Sequence, residues 1–190
     1  MRRRTITPAV ITLCTAALGT GCMPKMSFED IKQMQPLRAV ELDRLDMLLG
    51  DWITEGEVSM AVMDEVMRTT GTNHAAWSLD RRMVVDHADL DMGPLGKMTG
   101  MSIWSWDPSI RKYRMWWFDS FGETAEAIVT YNEATETWHM KSKGQKYGCK
   151  TSGRGTLRRI DDDTLEWTWK EYAFLGLFQL ADMKGISRRK

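Results

Sequence analysis

The chain has 190 residues, of which 43% are hydrophobic and 27% are charged, and its 26 basic side chains equal its 26 acidic ones. These values are typical of one folded domain plus a leader. The sequence has no basic patch beyond the short cationic end at residues 188–190, which argues against a nucleic-acid partner.

The first 22 residues have the composition of a bacterial export signal. Arg2–Arg4 form a cationic segment, and the apolar segment of about ten residues that follows is too short to span a bilayer. The sequence Leu-Gly-Thr-Gly-Cys that ends at Cys22 resembles a lipobox, although Gly19 stands where such motifs usually carry a larger aliphatic residue. We predict a signal peptide over residues 1–22, lipidation of Cys22, and an exported protein anchored to a membrane of the cell envelope. One alternative is simple cleavage near Cys22, which gives a soluble exported protein. The other is an uncleaved N-terminal anchor, which the short apolar segment disfavours.

A tether and a helix are predicted before the first strand. Residues 23–35 are polar and rich in methionine, and we predict a flexible tether there. Pro36, a residue favoured in a first helical turn, opens the predicted helix, and Gly50 ends it. The apolar residues that fall near one face of this helix are Leu37, Val40, Leu45, Leu48 and Leu49.

From Gly50 onward the pattern is that of β-strands separated by turn residues. No helices alternate with these strands, which disfavours a parallel sheet. A meander of about ten antiparallel strands tends to curl and close, because closure removes exposed strand edges. We therefore predict an all-β, up-and-down, lipocalin-like antiparallel barrel over residues 36–190, with a short N-terminal helix. The predicted strands are 51–60, 71–79, 82–90, 97–106, 112–119, 123–131, 136–143, 151–160, 164–172 and 178–188.

Nine tryptophans are the most distinctive feature of the composition. Trp104 and Trp106 are two residues apart, as are Trp167 and Trp169, so each pair lies on one face of a strand. Their polar neighbours alternate with them, which predicts that the indoles face the interior, as a packed core or as the wall of an apolar cavity. The tryptophans that we predict to line a cavity are Trp77, Trp104, Trp106, Trp117, Trp138, Trp167 and Trp169.

The strand at 113–118 is apolar on both faces. Such a strand is expected to be covered on its outer side as well, by the N-terminal helix or by a partner chain. A homodimer that buries Trp116 and Phe118 is one prediction, and a monomer in which the helix covers both residues is the other.

The start of the first strand carries a family resemblance. Gly50-Asp51-Trp52 gives a G-x-W that resembles the opening signature of lipocalins and their calycin relatives. The resemblance implies that Trp52 plugs the closed end of the barrel and that a late arginine packs over it. Arg188 or Arg189 is suitably placed, and we assign Arg188.

Over residues 36–189 the chain also resembles the DUF1579 family of bacterial lipocalin-like proteins. The family carries no agreed activity, so this resemblance implies a fold and adds little about function. The matching segments are Leu49–Trp52, Trp77–Arg82, Gly93–Gly96, Gly100–Asp107 and Trp117–Gly122.

The histidines do not predict a metal or haem site. Strand parity puts His74 and His139 opposite Trp77 and Trp138, hence toward solvent, and only His87 is ambiguous. No H-x-H or H-x-x-x-H spacing occurs. Nitrobindin-type barrels, which also open with G-x-W, hold haem through a late histidine, and here no histidine follows His139. We predict no metal and no cofactor.

Catalytic chemistry is only weakly indicated. Cys149, the one cysteine outside the leader, has no histidine near it and marks a strand start. Asp119 precedes a glycine turn and is interpreted as a turn-capping residue, and residues 161–163 are interpreted as a solvated hairpin tip. An enzyme would need a buried titratable group in the cavity, for which the candidates are Asp119, Glu126 and His87.

Three functions remain open from the sequence alone. The favoured hypothesis is an exported, lipid-anchored barrel that binds a small hydrophobic or amphipathic molecule among its tryptophans. The alternatives are a non-catalytic envelope scaffold with a solid barrel, and a small hydrolase or isomerase built on the same fold.

Overall fold

The structure is a computed structural model that describes residues 25–190, apart from the side chain of Leu175. The predicted signal peptide and Cys22 lie outside the described residues. The described residues belong to two units, residues 25–37 and residues 38–190. None of the helices in this part of the chain is long and apolar enough to cross a membrane.

The first unit contains one short α-helix, α1, at Phe28–Gln33. Ser27 caps it: the Asp30 N–H donates to Ser27 Oγ at 3.1 Å, and the Ser27 N–H donates to Asp30 Oδ2 at 2.8 Å. This reciprocal pair satisfies two N–H groups that a helix start otherwise leaves without partners. Part of the segment predicted as a tether is therefore helical.

The helix predicted before the first strand forms, but it is shorter and of another type. It is a 3-10 helix at Val40–Leu48, called the plug helix below. Leu42, Leu45 and Leu48 recur every third residue and are buried, because three residues per turn bring them onto one face. The prediction assumed an α-helix and was wrong to place Val40 on the apolar face, since Val40 is 76% exposed.

The second unit forms the ten predicted strands, with bounds that shift by a few residues. The largest shift is at the start of the second strand, because the connection that precedes it is shorter than expected. The strands are β1 Gly50–Met60, β2 Val66–Ser78, β3 Met83–Asp91, β4 Lys97–Asp107, β5 Lys112–Asp119, β6 Thr124–Asn132, β7 Thr137–Lys146, β8 Cys149–Asp161, β9 Thr164–Ala173 and β10 Phe178–Arg189.

The ten strands close into an antiparallel up-and-down barrel, as predicted. Each strand pairs with its neighbour in the chain, and β1 pairs with β10 to close the sheet, with Trp52 opposite Arg189. Closure pairs both edges that an open meander would leave exposed.

The two ends of the barrel differ. The end where β1 begins, called the plug end, receives the plug helix and the connections at 79–82, 108–111, 133–136 and 162–163. The opposite end, called the far end, carries the connections at 61–65, 92–96, 120–123, 147–148 and 174–177. The site described next lies in the half of the interior nearer the far end.

Candidate ligand-binding lumen

The register directs eight of the nine tryptophans into the barrel. In β1 the buried side chains alternate as Trp52, Thr54 and Val58, which defines the inner face. Residues that are paired across neighbouring strands point to the same side of the sheet, so the pairings assign the inner face of every other strand. This face includes all seven tryptophans predicted to line a cavity. Trp116 points outward, opposite Ile103 and Glu126.

The half of the interior near the plug end is filled. Trp138 is fully buried, and its ring meets Tyr113 at a centroid distance of 4.7 Å and Trp104 at 6.0 Å, both edge-on. Leu45 of the plug helix packs into the same cluster. Trp104 and Trp138 are therefore core residues, which corrects their assignment to a cavity wall. Four further tryptophans, Trp77, Trp106, Trp117 and Trp169, are partly buried and pack against this cluster.

The Trp77 indole belongs to the rim of the plug end. Its Nε1–H donates to Asp46 Oδ1 of the plug helix at 2.7 Å. The guanidinium groups of Arg38 and Arg81 lie over its ring at 5.1 and 5.3 Å. These contacts fix the plug helix to the strands and leave Trp77 no part in a lumen.

Three inward tryptophans also lie against glycine, and two of them, Trp117 and Trp169, border the core cluster as well. The Trp117 ring covers Gly100, so closely that a Cβ added to Gly100 would lie 2.5 Å from the ring. Trp167 covers Gly56 and Gly185 in the same way. A glycine has no side chain to hold an indole off the sheet, so each ring lies along the barrel wall and does not cross the lumen.

Trp169 completes this set of rings. Its indole lies across Gly153 and Gly155, where an added Cβ would lie 2.2 Å and 2.6 Å from ring atoms. Trp117, Trp167 and Trp169 all point inward and are only half-buried, so each still borders accessible space inside the wall. They form the apolar part of the candidate lumen.

A polar network inside the barrel ends at Ser102, the cross-strand partner of Trp117. Thr54 Oγ1 donates to Asn73 Oδ1 at 2.9 Å and lies 2.8 Å from Ser187 Oγ. Asp86 receives only long hydrogen bonds, from Asn73 Nδ2 at 3.3 Å and Ser102 Oγ at 3.5 Å. Burial raises the pKa of Asp86, and these two bonds offset part of that effect. The interior therefore offers polar groups beside its apolar wall.

Near the far end, an inward ion cluster joins two strands and one turn. Lys146 Nζ donates to Glu123 Oε2 at 2.9 Å and to Glu171 Oε2 at 3.4 Å. Burial raises the pKa of Glu123. Burial lowers the pKa of Lys146, but the attraction of Glu123 and Glu171 outweighs it, so the pKa of Lys146 is raised. The Lys146 ammonium is thus held in its charged form.

Glu171 differs from the rest of this cluster in its hydrogen bonding. Its Oε1 atom is buried and has no hydrogen-bond partner among the described residues. Sequence analysis missed Glu171, Lys146 and Asp86. For Glu171 the signal was present, since it continues the two-residue alternation of Leu165, Trp167 and Trp169.

Trp52 is buried at the plug end, and the arginine that lies over its ring is Arg189. The Trp52 Nε1–H donates to the Leu48 carbonyl at 3.0 Å, and the Arg189 guanidinium lies 4.4 Å from the Trp52 ring. Arg189 also donates to the Leu49 carbonyl at 2.6 Å. Arg188 points outward and pairs with Glu55. The assignment of Arg188 was wrong by one residue, which in a strand means the opposite face.

A surface cleft of about 530 Å³ at the plug end is a weaker candidate site. Its charged side chains already pair with one another, as Arg159 does with Asp162 and Glu136, and Arg189 with Asp163. Paired and solvated charges give an apolar molecule little surface to bind.

The other candidates from the sequence do not gather into a site. His74, His87 and His139 are exposed, and the described residues contain no group of three or more histidines, cysteines or acids placed to hold a metal. Cys149 is exposed at the start of β8. Glu126 is exposed and pairs with Arg114 on the outer face.

Asp119 is a turn cap, as interpreted. Its Oδ1 accepts the N–H groups of Phe121 at 2.9 Å and Glu123 at 3.0 Å, and its Oδ2 accepts from Trp117 Nε1 at 3.1 Å. Each carboxylate oxygen is engaged in holding the β5–β6 turn and the Trp117 ring.

A closed meander that opens with G-x-W, is plugged at that end by a short helix, and returns an arginine over the tryptophan defines a lipocalin-like, calycin-type barrel. Within that class the chain belongs to DUF1579, described as a protein of unknown function, whose family model matches residues 40–172. The resemblance predicted from the sequence is confirmed. No curated protein matches the chain.

Two solved structures share the fold. Rv2717c from M. tuberculosis is 15% identical, with a TM-score of 0.63 over 80% of this chain and 98% of that one. The S-type phycobiliprotein lyase CPES from Guillardia theta is 8% identical, with a TM-score of 0.56 over 87% of this chain and 98% of that one. At these identities the likeness extends to the fold alone.

Proposed function

We propose that this protein binds a small hydrophobic or amphipathic molecule in the half of its barrel nearer the far end. The observation that carries the proposal is the packing of Trp117, Trp167 and Trp169 on glycines, which leaves three partly exposed indoles along the inner wall of the barrel. Apolar area removed from water contributes about 25 cal/mol per Å², so three indole faces provide substantial affinity. The polar groups beside them orient the bound molecule.

Native mass spectrometry of the gently purified full-length protein tests this proposal. We expect an added mass that is lost on denaturation and whose fragments identify the ligand class. Titration of lipids, sterols and isoprenoids against tryptophan emission is the second measurement. The proposal fails if the native mass spectrum shows only the mass of the polypeptide and none of these compounds perturbs the tryptophan emission.

Tryptophan variants localise the binding. W167F and W169F are expected to reduce the ligand-induced change in emission, because their rings border the interior. W116F is the matched control, since Trp116 faces outward and is expected to leave the change intact. Equal effects of all three substitutions would place the ligand elsewhere.

We further propose that the protein is exported and anchored to a membrane of the cell envelope through a lipid on Cys22. The support is the sequence of residues 1–22, with its cationic start, apolar segment and lipobox-like end. Metabolic labelling with an alkyne fatty acid tests it: the wild type and C149S are expected to take up label and C22S is not. Label that persists in C22S would contradict the proposal.

An outer-face interaction surface is a second candidate function. Phe118 is 40% exposed, and it lies beside half-buried Trp116, Met101 and Ile103 on the outside of β4 and β5. This apolar face would suit a second copy of the chain. Sedimentation equilibrium is expected to show a dimer that W116K dissociates, and a monomer at high concentration would exclude this function.

A further inference from the structure

The interior toward the far end is strongly acidic. Among the described residues, Asp119, Glu123 and Glu171 lie on the inward side at that end, and Lys146 is the one inward cation beside them. The arginines of inward parity lie at the plug end and are paired there. Charges inside a barrel are poorly screened, because little solvent separates them. This lumen therefore attracts cations and repels anions.

Among these acidic residues, Glu171 has the carboxylate that most needs a further hydrogen-bond donor. The residue is 3% exposed, and its Oε1 atom has no hydrogen-bond partner among the described residues. Its other oxygen receives only the 3.4 Å bond from Lys146, which lies closer to Glu123 at 2.9 Å. A buried carboxylate oxygen without a donor carries the full penalty of desolvation, so such atoms in folded proteins require a partner.

The net charge of the cluster indicates the sign of that partner. Glu123 and Glu171 contribute two negative charges and Lys146 one positive charge, which leaves −1 when all three are ionised. One further ammonium group brings the cluster to neutrality and supplies the N–H that Oε1 lacks. A hydroxyl supplies the donor without the charge, and a carboxylate adds repulsion.

An apolar surface lies on the same face of the same strand as this acceptor. Trp169 precedes Glu171 by two residues on the inner face of β9, and its ring lies on Gly153, the residue that pairs with Glu171. An ammonium group at Glu171 therefore has an indole within about 7 Å along the strand. Indole faces favour nearby cations and also accept hydrocarbon chains.

We propose that the lumen binds an amphiphile with a protonated primary amine, whose ammonium group donates to Glu171 Oε1 and whose apolar body lies on Trp169 and Trp167. The proposal rests on the ligand-binding function above and specifies its ligand class. A quaternary ammonium lacks the N–H that Glu171 requires. A charge-assisted bond is roughly twice as strong as a neutral one, so the amine outranks the corresponding alcohol.

Four probes with the same alkyl chain test the head group: decylamine, decan-1-ol, decanoate and decyltrimethylammonium. Isothermal titration calorimetry on the full-length protein, below the micelle concentration of each probe, is expected to rank decylamine tightest. Loss of a charged hydrogen bond weakens binding by roughly tenfold to a hundredfold, and we expect this loss for decylamine with E171Q. E166Q is the matched control, because Glu166 lies on the same strand but is paired with Arg158 on the outer face.

The outcomes distinguish the proposal of amine binding at Glu171 from the broader proposal of ligand binding in the lumen. Decanol, decanoate or decyltrimethylammonium binding as tightly as decylamine, or equal decylamine affinity in E171Q and E166Q, overturns the amine proposal and leaves ligand binding intact. Binding of none of the four probes also overturns it, while ligand binding is then judged by the native mass and by the emission titration with lipids, sterols and isoprenoids. If E171Q does not fold by circular dichroism, the affinities of amine and alcohol for the wild type still decide between support and refutation.

Discussion

The contact between Gly100 and Trp117 makes a quantitative prediction. G100A would bring a Cβ to 2.5 Å from the Trp117 ring, and the three atoms nearest to the added methyl all belong to that ring. Carbon atoms in contact normally lie about 3.5–4.0 Å apart, so the ring must retreat by roughly 1 Å, away from the wall and into the lumen. The substitution therefore tests whether glycine holds the lumen open.

The expected loss of stability follows from two opposing effects. Overpacking of this kind destabilises by about 1–3 kcal/mol. Replacing glycine in a strand regains about 0.4–1 kcal/mol by restricting the unfolded chain. We expect G100A to lower the free energy of unfolding by about 1–2 kcal/mol in total. For a domain of this size that corresponds to a fall in Tm of roughly 2–8 °C.

A double-mutant cycle gives the decisive measurement. Leucine at position 117 does not reach Gly100, so in the W117L background G100A is expected to be neutral or stabilising in urea unfolding. The coupling between the two substitutions is then at least about 1 kcal/mol. W116L, on the opposite face of the same strand, is the control and is expected to be additive with G100A. Additivity of G100A with W117L, within about 0.5 kcal/mol, would refute the proposed packing.

Three other predictions concern the closing arginine, the lumen and the core. R189M removes the guanidinium from above Trp52 and is expected to lower the free energy of unfolding by about 1–3 kcal/mol. R188M is expected to change it by less than about 0.5 kcal/mol. Equal effects of the two substitutions in urea unfolding would contradict the corrected assignment. Burial raises the pKa of Asp86, so the folded state holds this proton more tightly, and stability falls as pH rises from 3.8 through the raised value. The free energy of unfolding of D86N is therefore expected to rise relative to that of the wild type between pH 4 and pH 7. A difference between the two free energies that stays constant with pH would argue against a buried charge. W138A empties a fully buried site and is expected to lower stability by about 3–5 kcal/mol, so a loss below about 1 kcal/mol would mean that the core is not filled there.

The strands and the inward direction of most tryptophans could be predicted because both depend on local alternation. A two-residue period survives in each strand whatever its partner, so Trp167 and Trp169 share a face in any antiparallel arrangement. The closing order of the strands also followed, since consecutive hairpins leave a meander few alternatives. The plug helix was harder, because Leu42, Leu45 and Leu48 fit a 3-10 helix only against a barrel that receives them.

The arginine that closes the barrel shows where local alternation fails. In β10 the inner face carries Met183, Gly185 and Arg189, while Ile186 and Arg188 point outward, so hydrophobicity does not distinguish the faces. The strand is also irregular near its start, where the register with β9 shifts. Only pairing with β1, which puts Trp52 opposite Arg189, determines the parity.

The inward direction of a side chain likewise does not show whether the interior of the barrel is filled or open. Trp104 and Trp117 both point inward, but Trp104 is flanked across the strands by Val84 and Met115. Trp117 is flanked by the smaller Ser102 and Ala125, and its ring reaches Gly100, a diagonal neighbour. An indole beside bulky partners has to extend into the interior and fill it, whereas an indole beside glycine can lie along the wall. The size of the cross-strand and diagonal neighbours therefore decides which role a tryptophan takes, and those neighbours follow from register, which one strand does not reveal. Inward glycines next to inward tryptophans are consequently a better mark of a binding lumen than the tryptophans themselves.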